Sequence, residues 1–376
     1  MSDSPFGLFG ISRGHSVGLP NLLGVAAPHP HQVGDSGSPL TPTPKDPPFV
    51  SVIIPIRNEE TFIARCLQSV VAQDYPQDRM EILVVDGGSE DRSREIVAEF
   101  SSRHPLVKLL DNPKHSTPAG LNLGIGEARG DVIVRVDGHC LLEPDYVSQC
   151  VRCLRETGAD NVGGLMKAVG QDYVSQVIAL AISSFFGSGG SKFHYAPREQ
   201  YVDTVYLGAF RRSVFDRVGF FNERLVRNQD YELNYRIRAA GGKVFLSPAI
   251  RSYYYGRSTL RDLGQQYFQY GFWKLEMIQM HPRSVQPRHL AAPLFVFGLF
   301  ATGLLGLVHR GFLNLFLLAI SSYLLASLLS SLLIARRQGW RYFPLLPVAF
   351  AVMHFGWGLG FLWRLVRAVM SALRPT

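Results

Sequence analysis

Charge and cysteine are both scarce in this chain. Charged residues make up 18% of its 376 residues, against 47% hydrophobic. That balance is apolar for a soluble enzyme and too polar for a pure transporter. Cys66, Cys140, Cys150 and Cys153 are the only cysteines and contain a single C-x-x-C. With no second pair, a zinc site built from two such pairs is excluded. Cys150 and Cys153 fall in a helical pattern, so buried thiols in a reducing compartment are expected. No G-x-x-x-x-G-K-[ST] is present, which excludes a P-loop kinase. Zinc-finger and RNA-binding signatures and runs of clustered lysine are also missing. The formal charge of +8 is therefore read as that of a cationic membrane protein, with no nucleic-acid partner. Met1–Leu23 has scattered Gly, His and Pro and no long apolar core, so no secretory signal is expected there.

What is present divides in three. Residues 1–48 are rich in Pro, Gly and Ser without apolar periodicity and read as a disordered tail. From Phe49, short apolar runs alternate with helical patterns up to residue 288. Strands are expected at Phe49–Ile56, Glu81–Val85, Val107–Leu110 and Val132–Val136. Asn58 and Ser89 are candidate helix caps, and Thr117-Pro118 opens a helix with proline in its first turn. Strands that alternate with helices imply a mainly parallel, covered sheet, with ligands bound beyond the carboxyl ends of the strands. Further on, Val174–Phe186 suits a buried or interfacial helix and Asp203–Leu207 a strand. Asp230 precedes a helix over Tyr231–Ala240, and Lys243–Leu246 forms another strand.

Residues 289–376 form the third part. Leu290–Val308, Phe312–Ala335 and Phe343–Trp363 carry no Asp, Glu, Lys or Arg. Each is long enough to cross about 30 Å of hydrocarbon. Arg336, Arg337 and Arg341 lie between the second and third runs, which places that loop in the cytoplasm. Residues 1–289 are then cytoplasmic, on the inner membrane of the cell. Arg364, Arg367 and Arg374 fall outside.

Three acidic positions stand out within 49–288. Asp86 and Asp137 end apolar strands and have glycine beside them, which leaves room for a ligand to approach. A carboxylate there accepts a hydrogen bond from a nucleoside, although a strand-end Asp is also an ordinary turn residue. Asp137 and His139, two apart on an extended segment, point to one side and can meet one divalent ion. Such an ion would neutralise a diphosphate leaving group. Asp230 is the third.

Taken in order, Ser51-Val52-Ile53-Ile54-Pro55-Ile56-Arg57-Asn58-Glu59, Val85-Asp86-Gly87-Gly88-Ser89-Glu90-Asp91, Asp137-Gly138-His139 and Gln229-Asp230 resemble family 2 glycosyltransferases of the GT-A fold. The resemblance covers roughly 49–274. Asp230-Tyr231-Glu232-Leu233-Asn234-Tyr235-Arg236 and Gln266-Tyr267-Phe268-Gln269-Tyr270-Gly271 bring it closest to exopolysaccharide-type members, such as the succinoglycan group. The resemblance implies an α/β, Rossmann-like GT-A domain followed by transmembrane helices. It also implies an inverting transfer from a nucleotide-sugar, a UDP-sugar foremost, to a lipid-linked or glycan acceptor. It assigns Pro55, Glu59, Asp86 and Asp137 to the nucleotide. Asp137 and His139 go to a divalent metal, Mn²⁺ or Mg²⁺, in place of the usual Asp-x-Asp. Asp230 becomes the general base, and Gly208-Ala209-Phe210-Arg211 an acceptor-side segment. A histidine ligand leans the site toward manganese. No Gln-x-x-Arg-Trp segment is evident, which implies addition of single sugars. Arg257 and Lys274 are available to the diphosphate or to lipid headgroups.

Two rival readings remain. Gly124, Gly126 and Gly130 form a G-x-G-x-x-x-G, but it follows a helix start, whereas a dinucleotide fingerprint follows a strand. A non-catalytic membrane scaffold would have lost the acidic residues, and all three are present.

Overall fold

A computed structural model describes residues 46–373. The expected tail lies outside the described residues as far as Lys45. The chain then forms β1 (Val50–Ile56), α1 (Ile63–Val71), β2 (Met80–Asp86), α2 (Ser93–Arg103), β3 (Val107–Asp111), α3 (Thr117–Glu127) and β4 (Val132–Arg135). The four strands pair in parallel, in the order β3-β2-β1-β4. Alternation within β1 explains why both faces are covered. Val52 and Ile54 pack with Ile63, Leu67 and Val97 of α1 and α2, while Ile53 packs with Leu121 and Ile125 of α3. A fully buried Val, Ile or Leu contributes roughly 1.5–3 kcal/mol, so neither face tolerates exposure.

Both expected caps fail for the same reason. Asn58 adopts a left-handed φ of 57°, and its Oδ1 accepts from the Glu90 N–H at 2.8 Å. Ser89 donates to Asp86. The two residues tie the β1 and β2 turns to each other, and the helices start later, at Ile63 and Ser93.

The mainly parallel sheet needs correction. After β5 (Cys140–Leu142) and α4 (Tyr146–Thr157) come β6 (Asn161–Val169), α5 (Tyr173–Ile182), α6 (Phe185–Ser188), β7 (Gln200–Tyr201), β8 (Tyr206–Arg211), α7 (Ser213–Val218), α8 (Gln229–Ala239) and β9 (Val244–Tyr255). β8 inserts antiparallel between β4 and β6. β6 runs parallel to β9, and β5 and β7 run antiparallel to it. The strand expected at Asp203–Leu207 starts only at Tyr206, because Asp203 turns aside to an ion pair with Arg288. Ala209 and Phe210, expected on the acceptor side, are buried in the core of β8. All four cysteines are free and buried, as expected.

The glycines that suggested a dinucleotide site have a packing role. A Cβ on Gly124 would lie 2.5 Å from Ile53 Cγ2, and one on Gly130 2.5 Å from the Ser51 nitrogen. They let α3 and its exit press onto the sheet.

The chain ends in α9 (Leu260–Met280), α10 (Pro287–Gly306), α11 (Arg310–Gln338) and α12 (Leu346–Ala372). The last three are long and apolar enough to cross a membrane. α10 and α11 form an antiparallel hairpin, with Gly306 against Leu313 and Phe295 stacked on Tyr323. The hairpin tip is apolar and bare, with Leu307 83% and Val308 89% exposed. So large an apolar surface is unfavourable in water and suits lipid. α5 is buried against α12, with Ile178 and Ile182 in one cluster with Leu346 and Phe350.

α12 also runs alongside α9. Arg364 Nε meets Glu276 Oε2 at 2.8 Å, and the Arg367 guanidinium lies over the Phe272 ring. Arg364 and Arg367, expected from the charge count to fall outside, therefore lie beside Glu276 and Phe272, because the two helices pack along each other. Glycine permits the approach, since a Cβ on Gly271 would sit 2.0 Å from the Trp357 carbonyl oxygen. Gly271→Leu is therefore expected to cost about 1–3 kcal/mol by overpacking. It would be read as a lower thermal midpoint in detergent, and an unchanged midpoint would mean that α9 and α12 separate without loss.

Candidate active site

The carboxyl ends of β1, β2 and β4 open onto one cleft of about 960 Å³. Pro55, Glu59, Gly87, Asp137, His139 and Asp230 line it together. Asp86 does not. Its buried carboxylate accepts from the Ser89 hydroxyl at 2.5 Å, the Ser89 N–H at 3.2 Å and Arg94 at 2.8 Å. Burial alone would raise its pKa, but these donors together hold it below the usual carboxylate range. A carboxylate has about four lone-pair positions, and these contacts use two on each oxygen, so a nucleoside donor has to replace one of them.

The centre of the cleft is organised by a residue that sequence reasoning passed over. Arg135, the last residue of β4, donates to Asp137 Oδ1 at 2.8 Å and forms an ion pair with Asp230. It joins carboxylates 95 and two residues away in sequence and offsets their mutual repulsion. The signal was available, since an arginine inside an apolar strand requires a partner. Tyr206 was also missed. Its hydroxyl meets Asp137 Oδ2 at 3.4 Å and Cys140 Sγ at 2.8 Å. Burial alone would raise the Asp137 carboxyl, but the charges of Arg135 and His139 hold it below its ordinary value.

Asp137 and His139 do not lie on one extended strand. β4 ends at Arg135, and Gly138-His139 form a turn. The turn needs glycine, because a Cβ on Gly138 would approach Glu59 Cγ to 3.1 Å and Ile56 Cγ2 to 2.9 Å. Through that gap Glu59 Oε1 reaches His139 Nδ1 at 2.8 Å. Burial opposes a charge on the imidazole, yet the Glu59 carboxylate outweighs it and raises its pKa. With Nδ1 held by a carboxylate, Nε2 is left for another partner. That is the arrangement in which a second carboxylate orients a metal-binding histidine.

Among the described residues no three His, Cys, Asp or Glu form a metal cluster. One carboxylate and one imidazole nitrogen nevertheless fit a divalent ion whose other ligands are phosphate oxygens and water.

Asp230 lies within the first turn of α8, not before it, because the helix begins at Gln229. Asn228 precedes it in a left-handed conformation, φ 64°. Asp230 and Glu232 both sit near the positive end of the helix. Opposite, Gln266 of α9 donates to the hydroxyls of Tyr254 and Tyr270. Arg257 lies on the His139 side of the cleft, whereas Lys274 is buried over the Tyr231 ring.

Comparison with known proteins agrees with this geometry. The glycosyl transferase family 2 model matches residues 51–219. The succinoglycan biosynthesis protein ExoA of Rhizobium meliloti is 30% identical over 83% of this chain and 93% of its own length. A dolichyl N-acetyl-alpha-D-glucosaminyl phosphate 3-beta-D-2,3-diacetamido-2,3-dideoxy-beta-D-glucuronosyltransferase of Methanococcus voltae is 31% identical over 61% of this chain and 74% of its own. In fold, the chain is similar to the mannosyltransferase PcManGT from Pyrobaculum calidifontis, solved with GDP-Man and Mn²⁺. The TM-score is 0.53 at 20% identity, covering 84% of this chain and 89% of that one. A GT-A α/β sheet with acidic residues at its strand ends, and a relative matched over nearly its whole length, make this chain a glycosyltransferase belonging to glycosyl transferase family 2.

Proposed function

We propose that the protein transfers one sugar from a nucleotide-diphosphate sugar to a lipid-linked acceptor, with inversion at the anomeric carbon, in the synthesis of an exopolysaccharide or other surface glycan. The observation that carries this reading is a single cleft. It holds Pro55, Asp137 and His139 at one end and Asp230 beside them, and it runs on to residues of α10, α11 and α12.

In this reading residues 49–288 form the catalytic part and 289–376 the membrane part. Pro55 and Asp86 hold the nucleoside, and Asp137 and His139 hold a divalent metal. Glu59 is assigned here to fixing His139, not to the nucleotide. The ion, when bound, supplies positive charge for the departing diphosphate. Arg135 keeps Asp137 and Asp230 in register. Asp230 takes the proton from the acceptor hydroxyl as that oxygen attacks, giving inversion in one displacement. The named relatives support the acceptor class. The archaeal enzyme acts on a dolichyl-linked phosphate sugar by its name, and the Rhizobium protein serves succinoglycan biosynthesis.

The test is a donor panel on the purified full chain in liposomes. A UDP-sugar leads it, with GDP-mannose, which is bound in the Pyrobaculum calidifontis structure, beside it. Nucleoside diphosphate should be released only when a lipid-linked acceptor is present, and the product anomer should be the inverse of the donor's. Retained configuration would remove the single-displacement mechanism.

The membrane reading has its own measurement. The protein should stay with the membrane through carbonate extraction. Protease added outside intact cells should leave residues 49–288 uncut. Solubilisation by carbonate would make α10–α12 a buried helical layer. Cleavage from outside would reverse the inner-membrane, cytoplasmic orientation.

A further inference from the structure

A buried cation stands between the catalytic residues and the membrane helices. Lys274 of α9 is 3% exposed and lines the cleft, with its Nζ 3.6 Å from the centre of the Tyr231 ring. Tyr231 follows Asp230 directly. The ring face offsets part of the charge. Lys274 has no hydrogen-bond or ion-pair partner among the described residues. Its cationic neighbours along the cleft are committed. Arg288 pairs with Asp203, and Arg227 Nε meets Gln269 Oε1 at 3.2 Å. Asp203 is the carboxylate whose charge favours Lys274, and it already serves Arg288. The pair of cations therefore exceeds its carboxylate by one charge, in a place where an unpaired charge is costly.

The walls change character beyond this point. Phe186, Phe295, Tyr323, Met353 and Trp357 line the cleft from α6, α10, α11 and α12. An anionic head with a long apolar tail matches that sequence of surfaces. Sugar-nucleotide phosphates have a different place in the proposed reading, beside Asp137 and His139, where Arg57 and Arg257 also line the cleft.

We propose that Lys274 holds the phosphate of the acceptor, and that the hydrocarbon of a phosphate-linked polyprenyl carrier follows the apolar wall between α10, α11 and α12. The proposal rests on the lipid-linked acceptor named above and adds the residue that reads the carrier's phosphate. Burial and the neighbouring Arg288 push the Lys274 ammonium down to about 7, so near neutrality an arriving phosphate favours its charged form. Polyprenyl phosphate offers both parts of the match, whereas a phospholipid headgroup would belong at the membrane surface, away from Asp230.

The test is equilibrium binding to the full chain in detergent, with farnesyl diphosphate as probe. Inorganic pyrophosphate, farnesol and dioleoyl phosphatidate serve as comparisons. Farnesyl diphosphate should bind at least about tenfold more tightly than any of the three. Lys274→Met should lose that binding by about tenfold or more, and Lys274→Arg should keep most of it. Methionine matches the stem of lysine and removes a buried charge, so the fold is expected to survive. Binding of UDP or GDP with Mn²⁺ checks this and should change less than twofold. Unchanged farnesyl diphosphate affinity in Lys274→Met would overturn the proposal. Equal binding of pyrophosphate or of phosphatidate would overturn the polyprenyl part. An equal loss of nucleotide binding would move Lys274 to the donor. Failure of both nucleotides to bind the unmodified chain, with farnesyl diphosphate still bound, would sink the donor reading and leave this subsite standing.

Discussion

Asp230→Asn is expected to lower sugar transfer by roughly 10²–10⁴-fold, the usual contribution of a positioned general base. The substitution keeps the shape of the side chain and removes its charge. A helix-capping role is already set aside, because α8 begins at Gln229 and Asp230 lies inside the first turn. The alternative to a base is a structural one, in which Asp230 serves to hold Arg135. The two differ in what they do to the donor. If Asp230 is the base, kcat falls while donor affinity stays close to normal, since Arg135 keeps its bond to Asp137 at 2.8 Å. If Asp230 mainly holds Arg135, then Asp137 loses its setting and donor affinity falls as well. Steady-state kcat and an independent donor titration on one variant separate these outcomes. Near-normal kcat would remove Asp230 from the mechanism.

Excess chelator should abolish transfer altogether, and Mn²⁺ should restore it at least as well as Mg²⁺. The reason is the donor set, one carboxylate from Asp137 and one imidazole nitrogen from His139. Glu59→Gln sharpens the test. Glu59 bonds His139 Nδ1 at 2.8 Å, and loss of such an outer partner typically weakens a metal site about 10–100-fold. The variant should need that much more Mn²⁺ for half-maximal rate, with turnover recovering at saturation. Full activity in chelator would end the metal's role. A Glu59→Gln variant with normal Mn²⁺ dependence but weakened nucleotide binding would return Glu59 to the nucleoside.

Much of this was legible in the chain. The run of β1 and the helix opened by Thr117-Pro118 follow from apolar spacing and from local preferences of proline, which act within a few residues. The same holds for the three long apolar helices, because crossing a bilayer depends on length and composition alone. Asp86 and Asp137 could be singled out because carboxylates at apolar strand ends need a reason to be there, and Asp230 because it stands at the start of a helix in the family's order. The resemblance to family 2 glycosyltransferases supplied their order.

The tertiary structure decided how those residues are used. Asn58 and Ser89 have the chemistry of helix caps, but a partner some 31 residues away in sequence offered better hydrogen bonds than the local helix did. β8 sits antiparallel within the sheet because strand pairing is a long-range choice, made by whichever edges meet. Arg135 joins Asp137 to Asp230 only once β4 and α8 face each other. Glu59 finds His139 only where Gly138 leaves a gap. Arg364 lies beside Glu276, a contact no charge count could supply, because α12 packs along α9 through glycines. Periodicity and composition report on neighbours along the chain, and so they determined the elements, the spans and the candidate acids. Side-chain partnership depends on distances across the folded chain, and so only the fold decided the pairing at the centre of the site and the placing of Lys274 between it and the membrane helices.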